Sequence, residues 1–184
     1  MGILDKFFGS SKRKEDETFE VNYERMPPLE RFVYNFTSNN GKFLIARSQD
    51  EIIRLLQQIL TEENKPGYWT LDENIREELL KDITHYPSSH PVRDAVMLSY
   101  AHFLVENRGE IMVTSLETGN YRMIDLPRTM VFLASPAQLI QNKEKGLELV
   151  NRRYKNAVPS VNTLHDFNQN DNEFSKNVYL ILYV

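Results

Sequence analysis

The residues best suited to chemistry lie between Ala101 and Ile140, where polar side chains crowd the ends of two apolar runs. Ile111–Ser115 and Thr129–Ala134 are short, rich in β-branched or aromatic residues and bounded by turn residues, a pattern that predicts buried strands. Because α/β sheets bind ligands at the ends of their strands, we expect a small-anion site here. The candidate ligand-binding residues are Glu106, Gly109, Glu110, Asp125, Arg128, Ser135 and Gln138.

The acidic and basic candidates allow two kinds of chemistry. Glu106 or Glu110, close to a buried strand, could have a raised pKa and act as a general base. Alternatively, both are solvated carboxylates paired with Arg108. Asp125 and Arg128 flank a Leu-Pro pair, so the guanidinium either binds an anion or is neutralised by the aspartate.

Ser135-Pro136 is a favoured helix start, with a serine cap and a proline at the first helical position. The free amides of that helix could hold a carboxylate or a phosphate, and Gln138 lies in the same first turn. The alternative is an ordinary capped helix without a ligand, since almost every helix begins in a similar way.

Composition narrows the class of protein. The 184 residues suffice for one domain, and 41% hydrophobic with 26% charged residues is close to the globular average. A formal charge of −4 and a pI near 5.6 argue against nucleic-acid binding, which needs a basic face. The apolar run Val178–Val184 is much shorter than the roughly 20 residues of a membrane-spanning helix. The chain also begins without the residue order of a signal peptide, so we expect a cytoplasmic protein.

The sequence lacks the usual signatures of a resident cofactor. There is no cysteine, which excludes an iron–sulfur cluster held by this chain's own thiolates. The four histidines show no paired metal spacing, so we predict no metal site. Neither a nucleophile elbow nor a phosphate-binding or dinucleotide-binding glycine loop is present. We expect no cofactor in this chain, and whether it is an enzyme stays open.

Turn-forming and charged segments along the chain predict one α/β domain, residues 25–184, after a flexible arm of residues 1–24. The arm either docks on a partner or a membrane surface, or is a frayed end. Helical spacing predicts a helix from Leu29 to Thr37, and Lys42–Ala46 is typical of a strand. Ser48 and Glu51 form a capping box at the start of the clearest helix.

Strands and helices continue to alternate after that helix. Tyr68–Thr70 is predicted as a short strand, and Asp72 can cap the following helix. Ala95–Val105 is apolar with helical or mixed periodicity. Glu117–Asn120 is predicted to join the strands Ile111–Ser115 and Thr129–Ala134 as a hairpin turn or tight loop. A helix is predicted from Gln138 to about Tyr154, then an irregular stretch and a last strand. The pattern favours a central, mainly parallel sheet flanked by helices.

Two segments resemble the LUD domain of lactate-utilisation proteins. Ala101–Val113, AHFLVENRGEIMV, is similar to the family's ADxAIAETGTIVL-like segment. Leu126–Ile140, LPRTMVFLASPAQLI, is similar to its L-P pair and HIVVVPxxQIV-like segment. Carried over by position, the family glutamate, glycine, proline and glutamine fall on Glu106, Gly109, Pro127 and Gln138. The family's later glycine-rich stretch has no counterpart in residues 160–177.

The resemblance implies a fold like that of the NagB/RpiA/CoA transferase group. It also implies an accessory role, beside iron–sulfur partner subunits, in oxidising L-lactate to pyruvate. Two other interpretations stay open. The chain could be an enzyme on sugar phosphates or acyl-CoA thioesters, by analogy of fold, or a degenerate ligand-binding module whose glycine-rich segment is lost.

Overall fold

The computed structural model describes residues 23–81, 83–165, 167 and 176–184. The arm predicted for residues 1–24 lies, as far as residue 22, outside these described residues. The strands are, in chain order, β1 (Lys42–Ala46), β2 (Gly67–Trp69), β3 (Tyr86–Pro87), β4 (Ala95–Tyr100), β5 (Phe103–Val105), β6 (Glu110–Thr114), β7 (Thr129–Ala134), β8 (Leu139–Ile140), β9 (Val161–Leu164) and β10 (Asn177–Tyr183). The helices are α1 (Pro28–Ser38), α2 (Gln49–Glu62), α3 (Ser115–Thr118) and α4 (Lys143–Tyr154).

Six of the strands form the main sheet, in the order β1-β10-β7-β4-β2-β3, with every neighbouring pair parallel. A second sheet has the order β8-β5-β6-β9, and in it β6 is antiparallel to both of its neighbours. A π-helical turn, Ile75–Leu79, lies on the same side of the main sheet as α2. The prediction of an α/β fold with a parallel sheet flanked by helices is confirmed.

Alternating side chains divide the core into two layers around the main sheet. Val131 and Leu133 of β7 face the apolar stripe of α2, which contributes Leu56 and Leu60. The alternate residues of β7, which are Met130, Phe132 and Ala134, face α1 and the second sheet. Both faces of the central strands are therefore covered, which explains why these strands are apolar throughout.

Because the strands of the main sheet are parallel, the chain leaves several of them at the same edge. The carboxyl ends of β1, β10, β7 and β4 are adjacent, because these strands are neighbours and run in the same direction. The chain leaves β1 there to enter α2, and leaves β4 and β7 there to enter the second sheet. In open α/β sheets such an edge is where ligands bind.

The helical or mixed periodicity of Ala95–Val105 does not correspond to a helix. The segment forms β4 and β5, which belong to different sheets and are separated by a two-residue corner at Ala101 and His102. Four of the six β4 residues contribute to the two core layers on opposite faces of the sheet. Burial on both faces removes the alternation that would have indicated a strand.

The connection predicted between Ile111–Ser115 and Thr129–Ala134 also needs correction. Both strands exist, as β6 and β7, but they lie in different sheets, and residues 115–118 form the short helix α3 instead of a hairpin turn. The hairpin partner of β6 is β5.

The helix predicted to begin at Gln138 begins at Lys143. A 3₁₀ turn at Pro136–Gln138 is followed by β8, which pairs with β5. The cap of α4 is Asn142, whose side-chain oxygen accepts a hydrogen bond from the Lys145 backbone at 2.9 Å. The two-residue strand β8 thus lies within the segment that the sequence predicted as a single helix.

Candidate functional site

A cleft opens at the carboxyl edge of the main sheet, between the start of α2 and the ends of β4, β7 and β10. Its volume is about 320 Å³. Ile52, Leu79 and Leu133 form an apolar floor, and all three are buried. The polar side chains on its wall are Arg47, Ser48, Gln49, Glu78, Tyr100 and Tyr183.

Arg47 is held at the rim of the cleft by the start of α2. The Ser48 hydroxyl accepts a hydrogen bond from the Glu51 backbone at 3.2 Å, and the Arg47 backbone donates to the Glu51 carboxylate at 2.6 Å. The capping box predicted from Ser48 and Glu51 is only half formed, because Ser48 caps the helix but the Glu51 carboxylate binds the backbone N–H of Arg47 and not that of Ser48. This contact fixes the backbone of Arg47 next to the positive end of the α2 dipole.

In the described part of the chain, the guanidinium of Arg47 has no anionic partner. The hydrogen bond to Glu51 comes from the backbone N–H of Arg47 and not from its side chain. Arg54, about two turns further along the chain, lies instead 3.7 Å from the Glu51 carboxylate. An unpaired guanidinium beside a helix start can bind a carboxylate through paired hydrogen bonds. Arg47 is thus the side chain in the cleft best suited to hold an anion.

Tyr100 supplies a neutral donor on the opposite wall. Burial raises the pKa of Tyr100, and the nearby Asp72, Tyr183 and Glu78 raise it further. The phenol therefore stays protonated across the range in which carboxylate ligands are ionised. Glu78, which lines the same wall, can accept a hydrogen bond from a hydroxyl group.

A second polar cluster lies where the chain leaves β4 for the second sheet. His102 Nδ1 is 3.0 Å from the Glu117 carboxylate, and their side chains are only 7% and 15% exposed. The other carboxylate oxygen of Glu117 accepts hydrogen bonds from the backbone and the hydroxyl of Thr114, at 2.6 and 2.8 Å. We call these residues the His102–Glu117 pair.

The His102–Glu117 pair has the geometry of a histidine held by a carboxylate. Burial raises the pKa of Glu117, but hydrogen bonds from His102 and Thr114 outweigh it and hold that pKa below its usual value. Among the described residues, none forms a hydrogen bond with His102 Nε2. The ring centroids of His102 and Tyr154 are 6.1 Å apart. The same arrangement orients proton-transfer histidines and also ties buried elements together.

The structure places the sequence-predicted residues in three separate regions. The first is the tip of the β5–β6 hairpin, which packs on α1. Glu106 there accepts a hydrogen bond from Arg31 at 2.6 Å, and Asn35 donates to the Glu106 carbonyl at 2.9 Å. Gly109 has a φ of +62°, and a Cβ at this position would lie 2.2 Å from the backbone nitrogen of Phe36. These contacts fasten the hairpin to the helix.

Glu110 is also at this tip, with a side chain that is 3% exposed. One of its oxygens lies 3.1 Å from Arg108 Nε, so the predicted ion pair is present, but the carboxylate is buried and not solvated as that alternative expected. The other oxygen is buried without a hydrogen-bond partner. Arg108 is exposed, so Glu110 reaches it from beneath the hairpin.

Asp125 and Arg128 form the second region, at the amino edge of the main sheet. Asp125 is paired with Arg122 at 2.7 Å, and not with Arg128. Arg128 directly precedes β7, whereas Ser135 directly follows it. At about 3.3 Å per residue, the two lie roughly 20 Å apart. One small-ligand pocket therefore cannot contain both.

Ser135 and Gln138 form the third region, at the carboxyl edge. The Gln138 side chain accepts a hydrogen bond from the Ser135 backbone at 2.7 Å and donates to the carbonyl of Ala101. Gln138 thus joins the exits of β4 and β7, and of the sequence-predicted residues these two alone share an edge with the cleft. Whether any of the candidates binds a ligand stays a prediction.

Sequence reasoning missed most of the residues that line the cleft. Arg47 carried a usable signal, because a basic residue between the first strand and a capping box must lie at a carboxyl edge. Tyr100 lies in the segment whose periodicity is helical or mixed, and Tyr183 lies in a strand that was predicted from its apolar residues alone. His102 and Glu117 are 15 residues apart and approach only because β4, β6 and α3 meet.

Two general features of the described residues bear on function. Nowhere along them do three or more His, Cys, Asp or Glu side chains gather in a way that could hold a metal ion. Nor does any helix among them combine the length and the apolar character needed to cross a membrane.

The fold and the cleft define an α/β domain with a carboxyl-edge pocket, and comparison with known structures supports the fold. The structure is similar to the crystal structure of a DUF162 family protein from Deinococcus radiodurans, with a TM-score of 0.66. The match covers 85% of this chain and 96% of that chain, at 12% sequence identity. No family model matches the sequence, and no curated protein does. The likeness is therefore one of fold.

Proposed function

We propose that this chain is a LUD-type domain that binds a small hydroxycarboxylate, such as L-lactate, in the carboxyl-edge cleft. The observation that carries the proposal is the unpaired guanidinium of Arg47 beside the α2 start and above an apolar floor. The structural neighbour supports the domain type, since DUF162 is the LUD-domain-like family.

Each part of a 2-hydroxycarboxylate has a matching group in the cleft. Its carboxylate can accept paired hydrogen bonds from Arg47. Its hydroxyl can donate to Glu78 and accept from the neutral Tyr100 phenol. Its short alkyl group can rest on the floor formed by Leu79 and Leu133. A ligand of this kind satisfies both the cationic and the anionic side of the pocket.

The proposed role is that of an accessory subunit in the oxidation of L-lactate to pyruvate, in the cytoplasm. The oxidation removes two electrons, and this cysteine-free chain has no thiolate that could hold an iron–sulfur cluster. We therefore assign electron transfer to iron–sulfur partner subunits and ligand binding to this chain. The LUD-like segments of the sequence and the fold likeness support this division of labour.

A thermal-shift panel tests the ligand class. We expect L-lactate to raise the melting temperature of the full chain, because a ligand that binds only the folded state stabilises it. Glucose 6-phosphate and coenzyme A serve as the competing classes. Stabilisation by either of these, without an effect of L-lactate, would favour an enzyme on sugar phosphates or acyl thioesters and reject the proposal.

Affinity capture tests the partner. The tagged full chain, purified from native extract under mild conditions, should retain polypeptides whose absorption spectra and iron content identify iron–sulfur proteins. A version carrying the Arg47→Gln substitution should retain the same polypeptides, because Arg47 is assigned to the ligand. Recovery of no iron–sulfur protein would contradict the accessory role while leaving ligand binding to the thermal-shift result.

A further inference from the structure

A second cavity lies at the opposite, amino edge of the main sheet. Its volume is about 300 Å³, and its wall includes Lys176, which directly precedes β10. The carboxyl-edge cleft lies at the other end of β10, at Tyr183, so the two cavities are separate. The remaining wall residues of this amino-edge cavity are Met123, Ile124, Thr163, Leu164 and His165.

The Lys176 amine is fixed by two backbone carbonyls. Its Nζ donates hydrogen bonds to the carbonyl of Leu126 at 2.7 Å and to that of Pro127 at 3.3 Å. A neutral amine has two N–H groups, and these two acceptors satisfy both. These two hydrogen bonds hold the amine at the cavity wall.

Burial and the surrounding charges favour the neutral form of the Lys176 amine. Burial lowers the pKa of Lys176, and the neighbouring Arg128 and Arg93 lower it further, to about 8, although Asp125 opposes them. The carboxylate of Asp125 is itself engaged by Arg122. At about pH 7, roughly one tenth of the Lys176 side chains is then neutral, on the order of a hundredfold more than for an ordinary lysine.

We propose that Lys176 is the nucleophilic amine of a carbonyl-binding site that takes a small 2-oxo carboxylate. Three wall residues, Met123, Ile124 and Leu164, suit a short alkyl group. Arg128, close enough to influence Lys176, attracts the carboxylate. This site is independent of the proposed function, because it shares no residue with the carboxyl-edge cleft.

The reaction is a condensation without net oxidation. The Nζ lone pair forms a bond to the carbonyl carbon, the π electrons of the C=O bond move to oxygen, and a proton passes from nitrogen to that oxygen. The resulting carbinolamine then loses its hydroxyl group and the remaining N–H proton as one molecule of water, leaving a C=N bond. His165 lies on the same wall and is the group we assign to carry these protons.

Reductive trapping tests the proposal on the full chain. The protein is incubated at about pH 7 with pyruvate and cyanoborohydride, which converts an imine into a stable secondary amine, and each lysine is then mapped by mass spectrometry. We expect Lys176 to be labelled on the order of a hundredfold faster than the exposed Lys155, in line with their neutral fractions. Labelling of Lys176 no faster than that of Lys155 would overturn the proposal.

A variant and a pH series complete the test. Lys176→Gln keeps a donor to the two carbonyls but removes the nucleophile and the cation that Arg93 and Arg128 disfavour, so the yield of trapped imine per chain at about pH 7 should fall to that of the exposed lysines while thermal unfolding stays close to wild type. In the wild type, labelling of Lys176 should reach half its maximum near the pKa of about 8. A half-maximum above about pH 10, where an ordinary lysine titrates, would contradict the proposal even if the variant failed to fold.

Discussion

At the residue scale, charge pairing decides which polar side chains are available to a ligand. Glu106 and Asp125 are engaged by Arg31 and Arg122, at 2.6 and 2.7 Å. These pairs hold loops in place, as surface and partly buried ion pairs commonly do. Arg47 has no such pair in the described residues and borders a cleft. Among the described residues, Arg47 is therefore better suited than the paired acids to hold the proposed ligand.

Gly109 provides a test of how tightly the hairpin tip is bound to α1. An alanine at this position would need a strained positive φ, and its Cβ would clash with the backbone of α1. We expect Gly109→Ala to lower the free energy of unfolding by about 2 kcal/mol or more. Gly119 is the matched control, since its φ is +63° but its nearest Cβ neighbour is a flexible Leu71 side-chain atom at 3.2 Å. Equal losses in urea unfolding would contradict the proposed docking.

Glu117 provides a test of the His102–Glu117 pair. Glu117→Gln removes the charge that accepts hydrogen bonds from His102 and Thr114, so the free energy of unfolding at about pH 7 should fall by about 1–3 kcal/mol. The pKa of Glu117 is lowered in the folded state, so its stabilisation is lost as the pH falls through the folded pKa. The variant and the wild type should therefore converge in acid.

The control for that experiment is Glu77→Gln, a substitution at an exposed position. It should change the free energy of unfolding by no more than about 0.5 kcal/mol at either pH. A loss in Glu117→Gln that persisted unchanged in acid would show that packing, and not the carboxylate, stabilises the pair.

At the element scale, the start of α2 positions Arg47, so its cap should influence both stability and binding. Ser48→Ala removes the hydroxyl that accepts from the Glu51 backbone and should lower the free energy of unfolding by about 1 kcal/mol. Because Arg47 directly precedes the cap, affinity for L-lactate should fall as well. A stable variant with unchanged affinity would separate the cap from the site.

Elements with a clear hydrophobic periodicity or clear boundary residues could be predicted from the sequence. The helix Pro28–Ser38 and the strands Lys42–Ala46 and Thr129–Ala134 have clear periodicity or clear boundaries, and the structure confirms them. Ala95–Tyr100 is buried on both faces and therefore has no period that distinguishes strand from helix. Leu139–Ile140 forms a strand only because β5 offers an edge to pair with, a tertiary effect that the local sequence does not encode.

The candidate site was harder to predict than the fold, for a related reason. Its residues come from strand ends that are distant in sequence, and which strand ends meet depends on the strand order. With β10 placed between β1 and β7, Tyr183 reaches the cleft beside Arg47 and Leu133. Local motifs could identify the Ser48 cap but not its neighbours across the sheet.

At the scale of the whole molecule, Glu63 joins α2 to three strands of the main sheet. Its carboxylate accepts hydrogen bonds from Tyr179, Asn177 and Thr129, at 2.5, 2.7 and 3.1 Å, and lies 3.3 Å from Lys42 Nζ. This network lies at the amino edge of the sheet, opposite the cleft. Polar contacts thus tie the main sheet together at its amino edge, and the cleft opens at its carboxyl edge.

Acid should therefore destabilise the fold as a whole. Burial raises the pKa of Glu63, but hydrogen bonds from Tyr179 and Asn177 and the charge of Lys42 outweigh it, so the net pKa lies below 4.5. A lowered folded pKa gives stability that is full above the unfolded pKa and is lost as the pH falls through the folded one. Urea midpoints should fall steadily below about pH 4.5 in the wild type and less in Glu63→Gln. Equal slopes would rule out this assignment.

The central claim is that the carboxyl-edge cleft binds a small hydroxycarboxylate through Arg47. Calorimetric titration of L-lactate into the wild type, Arg47→Gln and Arg54→Gln tests it most directly, because Arg54 lies on the same helix but pairs with Glu51 outside the cleft wall. We expect Arg47→Gln to weaken binding by about tenfold or more, the loss of a charged hydrogen bond of about 1.5–3 kcal/mol, and Arg54→Gln to leave it unchanged. Equal affinities in all three proteins, or no heat of binding in the wild type, would contradict the claim.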